Sequence, residues 1–287
     1  MAEMGPGLRR EDGKLMPPSD PRYACKVICE VRRQGCFESG GLSKAFAGLI
    51  VILLSVVSLA GAGAAGYVDG LAPPGVPAGA FPAPSRKVAG IVTDTWRDEQ
   101  SRDQAGEAER VMRLLGVKPG LDVADIGAGS GYYTVRLARR VGPQGHVFAE
   151  DVIPNYLDRL ARRVDAEGLA GSVTLVRGEP HDPRLAPGSL DLALLVHMYH
   201  EVTQPYGLLW NLRPALRPGA RVAVIDARKE TASHGTPPDL LQCELAAVGY
   251  RQTAFYDLQE NTYLAVFEPA AAPASPAAIR PCSARHN

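Results

Sequence analysis

A chain of 287 residues, 46% of them apolar, can build one large domain or two small ones around a sizeable core. Its 31 Lys plus Arg balance its 31 Asp plus Glu, so no net field draws it to nucleic acid or to an acidic surface. Five scattered cysteines, Cys25, Cys29, Cys36, Cys243 and Cys282, imply no disulfide framework, and the first three lack a fourth zinc ligand, so incidental thiols are expected.

Residues 1–44 mix Pro, Gly and charges without periodicity and are expected to be disordered. Residues 45–68 carry no charge and are expected to form a transmembrane or signal-anchor segment, since ~20 apolar residues span a bilayer core. Ala62-Gly63-Ala64 resembles a cleavage site, which leaves export after cleavage as the alternative. Arg32, Arg33 and Lys44 precede the segment and, by the positive-inside tendency, favour a domain outside, while a domain facing inward and a segment that is not inserted stay open as alternatives. Residues 69–87, rich in Pro, Gly and Ala, are expected to be an extended linker; residues 269–287 are expected to be a disordered tail.

Between these flanks, residues 88–268 alternate helix and strand. Ala105, Ala108, Val111, Met112 and Leu115 predict a helix over 101–115 that Gly116 stops. Strands are predicted at 122–126, 146–149, 173–176, 190–196 and 221–225, with helices at 132–141, 155–167, 204–216 and 238–248. Short apolar runs separated by helices point to a parallel sheet covered on both faces. The last two runs, 250–256 and 261–267, are too close for a crossover and predict an antiparallel hairpin.

The sharpest motif is Asp125-Ile-Gly127-Ala128-Gly129-Ser-Gly131-Tyr132, a strand end, a glycine turn and a helix start. Glycines let the backbone turn tightly and approach a ligand at a helix N-terminus. A dinucleotide fingerprint needs Gly or Ala where Tyr132 stands, and Asp125 would repel a diphosphate, so an NAD-linked oxidoreductase is disfavoured. Asp125 suits a cationic ligand such as S-adenosylmethionine. Asp151, or Glu150 beside it, follows the last glycine by about 20 residues, where an acid usually holds ribose hydroxyls. Of Tyr132 and Tyr133, one is expected to pack and the other to reach the ligand.

The glycine motif, the acidic pair and the final hairpin together resemble the class I S-adenosylmethionine-dependent methyltransferases, over about Trp96 to Glu268. That resemblance implies a Rossmann-like α/β fold: a seven-stranded sheet in the order 3-2-1-4-5-7-6, its seventh strand antiparallel and helices on both faces. It also implies that the loop Arg177 to Pro183 contacts adenine, through Glu179 or Asp182. Arg102 to Glu107 and His197 to Glu201 are similar to a narrower group of bacterial methyltransferase-domain proteins, for which the resemblance implies no reaction.

His197-Met198-Tyr199-His200-Glu201 leaves the fourth strand where methyltransferases place the acceptor, and His181 and His234 follow neighbouring strands. Four histidines are therefore expected to face one cleft. A neutral His can take the acceptor's proton near pH 7. His200 oriented by Glu201 is the preferred base, with His197 beside the cofactor. No metal is expected, because His-x-x-His-Glu matches neither zincin order and strand-end histidines more often hydrogen-bond to backbone. Trp96 and Trp210 are expected to be packing residues. The function expected is methyl transfer from S-adenosylmethionine to a small-molecule or protein acceptor, with a non-catalytic S-adenosylmethionine-binding sensor or scaffold as the alternative. The expected partners are that acceptor and, through residues 45–68, a membrane, with no nucleic acid.

Overall fold

The apolar runs and helical stretches assemble into one seven-stranded sheet in a computed structural model that describes residues 66–91, 99–259, 261–271 and 275–282. Two short helices, α1 (Glu99–Gln104) and α2 (Glu107–Leu114), lead into β1 (Asp122–Ile126), α3 (Tyr132–Val141) and β2 (His146–Asp151). Then come α4 (Pro154–Ala166), β3 (Val173–Arg177), β4 (Leu190–Val196), α5 (Pro205–Leu212), β5 (Leu216–Ala227), α6 (Pro238–Ala247), β6 (Tyr250–Asp257) and β7 (Thr262–Pro269). The strand order is β3-β2-β1-β4-β5-β7-β6, parallel except for β7, which runs antiparallel to both β5 and β6. This is the arrangement the family resemblance implies.

Both faces of the central strands are buried, which is why they read as continuous apolar runs rather than as alternations. Val123, Leu192, Leu194, Ala223 and Ile225 pack on one face with α2, α3 and α4. Ala124, Ile126, Ala193, Leu195, Val222 and Val224 pack on the other with α5 and α6. The order reverses between β1 and β4, and the crevice outside the carboxyl ends of such neighbours is where open α/β sheets bind ligands.

The helix predicted over 101–115 is broken in two at Gly106, whose φ of +65° leaves the helical region. Across the break the Arg102 guanidinium grips both carboxylate oxygens of Glu107. β5 begins earlier than predicted, and its Arg217 bridges Asp122 and Asp191 at the starts of β1 and β4.

Residues 1–44 and all but the last three of residues 45–68, together with Trp96, lie outside the described residues. Among the described residues no helix is long and apolar enough to cross a membrane. The boundary at residue 68 changes, because Val68 bridges Val176 in parallel and so belongs to the edge of the sheet. Its N–H donates to Leu175 and its carbonyl accepts from Arg177.

Residues 69–87 are extended, as their composition suggests, but they run against the domain rather than away from it. The N–H groups of Leu71 and Ala72 donate to the Arg184 carbonyl, and Phe81 is buried edge-on against Trp210, a packing role for that tryptophan. Arg86 forms a fully buried ion pair with Glu244 at 2.9 Å and donates to the carbonyls of Tyr199, His200 and Val202. Removing one partner of such a pair costs about 3–5 kcal/mol, so this strap is part of the folded unit.

The tail is also corrected. Cys282 forms a disulfide with Cys243 of α6, its N–H donates to the Tyr206 hydroxyl, and Ile279 is buried. Neither cysteine is an incidental thiol. Their separation of 39 residues and the lack of any motif hid the pairing.

Candidate functional site

At the carboxyl end of β1 three glycines take positive φ values, +69° at Gly127, +54° at Gly129 and +83° at Gly131. They do different jobs. A β-carbon on Gly131 would come within 2.2 Å of the Leu160 side chain, so this glycine lets α3 close onto α4. One on Gly127 would meet Met198 at 3.0 Å, whereas one on Gly129 would meet nothing within 4 Å. Gly129 thus presents bare backbone to open space, as a ligand-cradling turn requires.

That space is a cavity of about 410 Å³ lined by the whole turn from Asp125 to Ser130, by Tyr132 and Tyr133, and by Glu150, Asp151, Glu179 and His197. Its size is ordinary for a small-molecule site. Asp125 is buried and accepts from the Thr134 hydroxyl at 2.6 Å. Burial, reinforced by the Asp151 charge and opposed by Thr134, pushes its carboxyl up to about 6. A carboxylate held so far from water favours a cation placed beside it.

Asp151 secures the turn: Oδ2 accepts from the Gly129 N–H at 2.9 Å and Oδ1 from the Ile153 N–H at 2.8 Å. Each carboxylate oxygen has a second lone pair that a hydroxyl can use. Glu150 lies beneath the turn, where Oε2 accepts a long bond of 3.4 Å from the Gly127 N–H while Oε1 is buried without a partner. Burial first, and then the Asp151 charge, push its carboxyl well above the usual range. Glu179 reaches the cavity with its side chain about half exposed. Asp182 does not line the cavity: it is buried and accepts from the Gly75 and Arg184 N–H groups, which anchors the strap.

Both tyrosines line the cavity and both are buried, so packing and ligand contact are not divided between them. Tyr132 donates to Asp103 and Tyr133 to Glu107, and the Tyr132 ring is sandwiched between the guanidiniums of Arg102 at 3.7 Å and Arg136 at 3.8 Å. Arg102 itself lines the cavity, a role its sequence context did not signal. Only its place in the Arg102 to Glu107 stretch marked it.

The histidines do not share one cleft. His197 lines the 410 Å³ cavity and also a second one of about 450 Å³, with Arg102 as the other residue common to both. Its backbone has a φ of +51°, uncommon for a non-glycine residue, and its N–H donates to Ile225 at 2.8 Å. Burial lowers its pKa, with Glu107, 3.8 Å from Nε2, opposing.

His200 is fully buried and does not line the cavity, so it is not placed to take a proton from a ligand there. Its Nδ1 bonds to both carboxylate oxygens of Asp226 at 3.0 and 3.1 Å. Asp226, also fully buried, accepts in addition from the Thr236 hydroxyl and the Ala227 N–H. Glu201 does line the cavity, and with His200 and His234 it brings three ligand-type atoms within 4.8 Å of one another. His181 stands apart, 3.6 Å from Glu179.

A family profile described as a methyltransferase domain matches residues 123–219. A 2-phytyl-1,4-naphtoquinone methyltransferase of Trichormus variabilis is 31% identical over 118 residues, 41% of this chain and 52% of that protein. A ubiquinone/menaquinone biosynthesis C-methyltransferase of Ectopseudomonas mendocina is 30% identical over 118 residues, 41% of this chain and 46% of that protein. The chain thus spans about half the length of these curated relatives. A SAM dependent methyltransferase from Aquifex aeolicus shares the fold, with a TM-score of 0.51 and 23% identity over 60% of this chain and 98% of that one.

Proposed function

This chain belongs to the class I S-adenosylmethionine-dependent methyltransferases, and from that premise we propose that it moves the sulfonium methyl group to a small-molecule acceptor. The supporting observation is Gly129, whose bare backbone faces the cavity while its N–H is pinned to Asp151. Asp125 would face the cationic methionine end of the donor, Asp151 would accept from the ribose hydroxyls, and Glu179 would accept from the adenine amine. His197 lines both cavities and would stand between donor and acceptor.

Methyl transfer breaks the sulfonium S–C bond, leaves a neutral thioether and releases one proton from the acceptor. His197, kept neutral near pH 7 by burial, is the ring positioned to receive it. Two supports favour a small acceptor: the second cavity is of ligand size, and two relatives are named for methylation of quinones or their precursors. Isothermal titration should give one donor site, with NADH not binding. Radiolabelled donor with cell extract should label the solvent-extractable fraction; label confined to precipitated protein would reject the small-molecule acceptor.

For location we propose that residues 45–68 associate with a membrane and that the domain faces its oxidising side. The basic residues before the segment favour this orientation. The Cys243–Cys282 disulfide does too, since disulfides persist in oxidising compartments. Such a location requires the donor to reach that side. Alkylation in intact cells, read as a mass shift, should leave Cys243 and Cys282 unmodified until a reductant is added. Free thiols at both positions would reject it.

A further inference from the structure

At the mouth of β4 and β5, next to the cofactor cavity, two buried ring nitrogens lack hydrogen-bond partners: Nε2 of His200 and Nδ1 of His234. Each stands 3.9 Å from the same atom, Oε1 of Glu201. Hydrogen bonds close to about 2.7–3.2 Å, so neither ring is bonded to that carboxylate. A buried nitrogen without a partner is unfavourable, and two around one carboxylate oxygen is an arrangement that a cation between them relieves. Zinc binds imidazole nitrogen and carboxylate oxygen at about 2.0–2.2 Å, which places tetrahedral ligand atoms about 3.4 Å apart. Reaching that spacing takes about 0.5 Å of side-chain movement at each 3.9 Å contact, and more where the ligand atoms lie up to 4.8 Å apart.

The surroundings are built to hold these groups. Asp226 receives the Thr236 hydroxyl and the Ala227 N–H as well as His200, so the His200 proton sits on Nδ1 and the Nε2 lone pair points outward. A carboxylate behind a ligating histidine is the usual way proteins orient such a ring. The loop carrying His234 is clamped to the end of β5. The Thr236 N–H donates to the Ala227 carbonyl, and a β-carbon on Gly235 would come within 2.5 Å of that same oxygen. His234 itself is held at a φ of +56°, a conformation that persists in a bulky residue only where the surroundings impose it. From the other side the Ala89 N–H donates to the His200 carbonyl at 3.2 Å.

We propose that His200, Glu201 and His234 bind a divalent cation of the zinc class, with Asp226 orienting His200. Two nitrogens and one carboxylate leave a fourth position open, the pattern of a catalytic rather than a structural zinc site. Because Glu201 also lines the cofactor cavity, that position adjoins the acceptor end of the site, where a metal lowers the proton affinity of a bound heteroatom. The first histidine of the sequence motif, His197, is not part of this set. His234, far along the chain, takes its place, which is why the motif read alone argued against a metal.

The test is cobalt titration of the full chain after chelator treatment, with no methyl donor present, so that it stands apart from the methyl-transfer assignment. The expected result is one equivalent of cobalt with the visible absorption of a tetrahedral nitrogen–oxygen site, displaced by zinc. His234→Ala and Glu201→Gln should each weaken binding at least about tenfold. Asp226→Asn, which keeps all three ligands, should weaken it about 10–100-fold. No visible band, a thiolate charge-transfer band that assigns the metal to cysteines, or a band unchanged in His234→Ala and Glu201→Gln would each overturn it. Calorimetry of the same variants with S-adenosylmethionine reports separately on the donor site.

Discussion

The two halves of the sheet mouth are built differently. The β1/β2 half is made of backbone: glycines with positive φ, and acids whose oxygens hold loop N–H groups. The β4/β5 half is made of side chains brought from separate segments, with His200 fixed by Asp226, Asp226 by Thr236, and His234 by the loop after β5. A site made of backbone tolerates few substitutions at its glycines, whereas one made of side chains depends on each buried partner. Mutation can separate the two.

The largest effect is expected within the glycine turn itself. Gly131→Val forces a branched side chain into Leu160 at a positive φ and should lower stability by about 3–5 kcal/mol in denaturant melts. Gly129→Val has room in the empty turn and should cost only about 1–2 kcal/mol of stability. Its donor affinity should nevertheless fall about 100-fold, or about 2.7 kcal/mol, by calorimetry. Equal donor affinity in Gly129→Val and wild type would remove the backbone cradle from the comparison.

On the side-chain half, Asp226→Asn removes the charge that holds His200 and should lower stability by about 1.5–3 kcal/mol, with donor affinity retained. Loss of donor binding in this variant would mean that the halves are coupled.

The charge at Asp125 gives a smaller effect with a definite sign. Its folded-state pKa is raised from 3.8 to about 6, so in the ligand-free domain its contribution to stability is present at low pH and is lost as pH rises through that window. A cationic donor needs the ionised form, so donor affinity should rise about tenfold from pH 5 to pH 7. Asp151, Glu150 and Arg102 share the site, so the assignment rests on Asp125→Asn flattening the profile. The smallest effect is expected at Glu179, half exposed at the rim: Glu179→Ala should weaken the donor about fivefold, about 1 kcal/mol, with stability unchanged.

Legibility divides along the same line. β1 and α3 were predicted with the limits observed, 122–126 and 132–141, because a buried strand, a glycine turn and an amphipathic helix are local patterns. The closing hairpin was legible from loop length alone. Asp182 and Glu179 could not be told apart in sequence, since both follow β3 and only the docking of residues 66–91 turns Asp182 toward Gly75. For a similar reason the motif read alone favours His200 over His197 as the base. The 3-10 turn after β4 buries His200 against β5 and leaves His197 on the cavity wall.

The sequence by itself determined the alternation of strands and helices, the glycine turn and the acids beside it, because these follow from short-range backbone chemistry and periodicity. Only the tertiary structure decided which histidine meets the cavity, which one joins Glu201 and Asp226, and that Cys243 reaches Cys282. The physical reason is that those groups lie far apart in the chain, and their contacts exist only once β4, β5 and the flanking strap have packed.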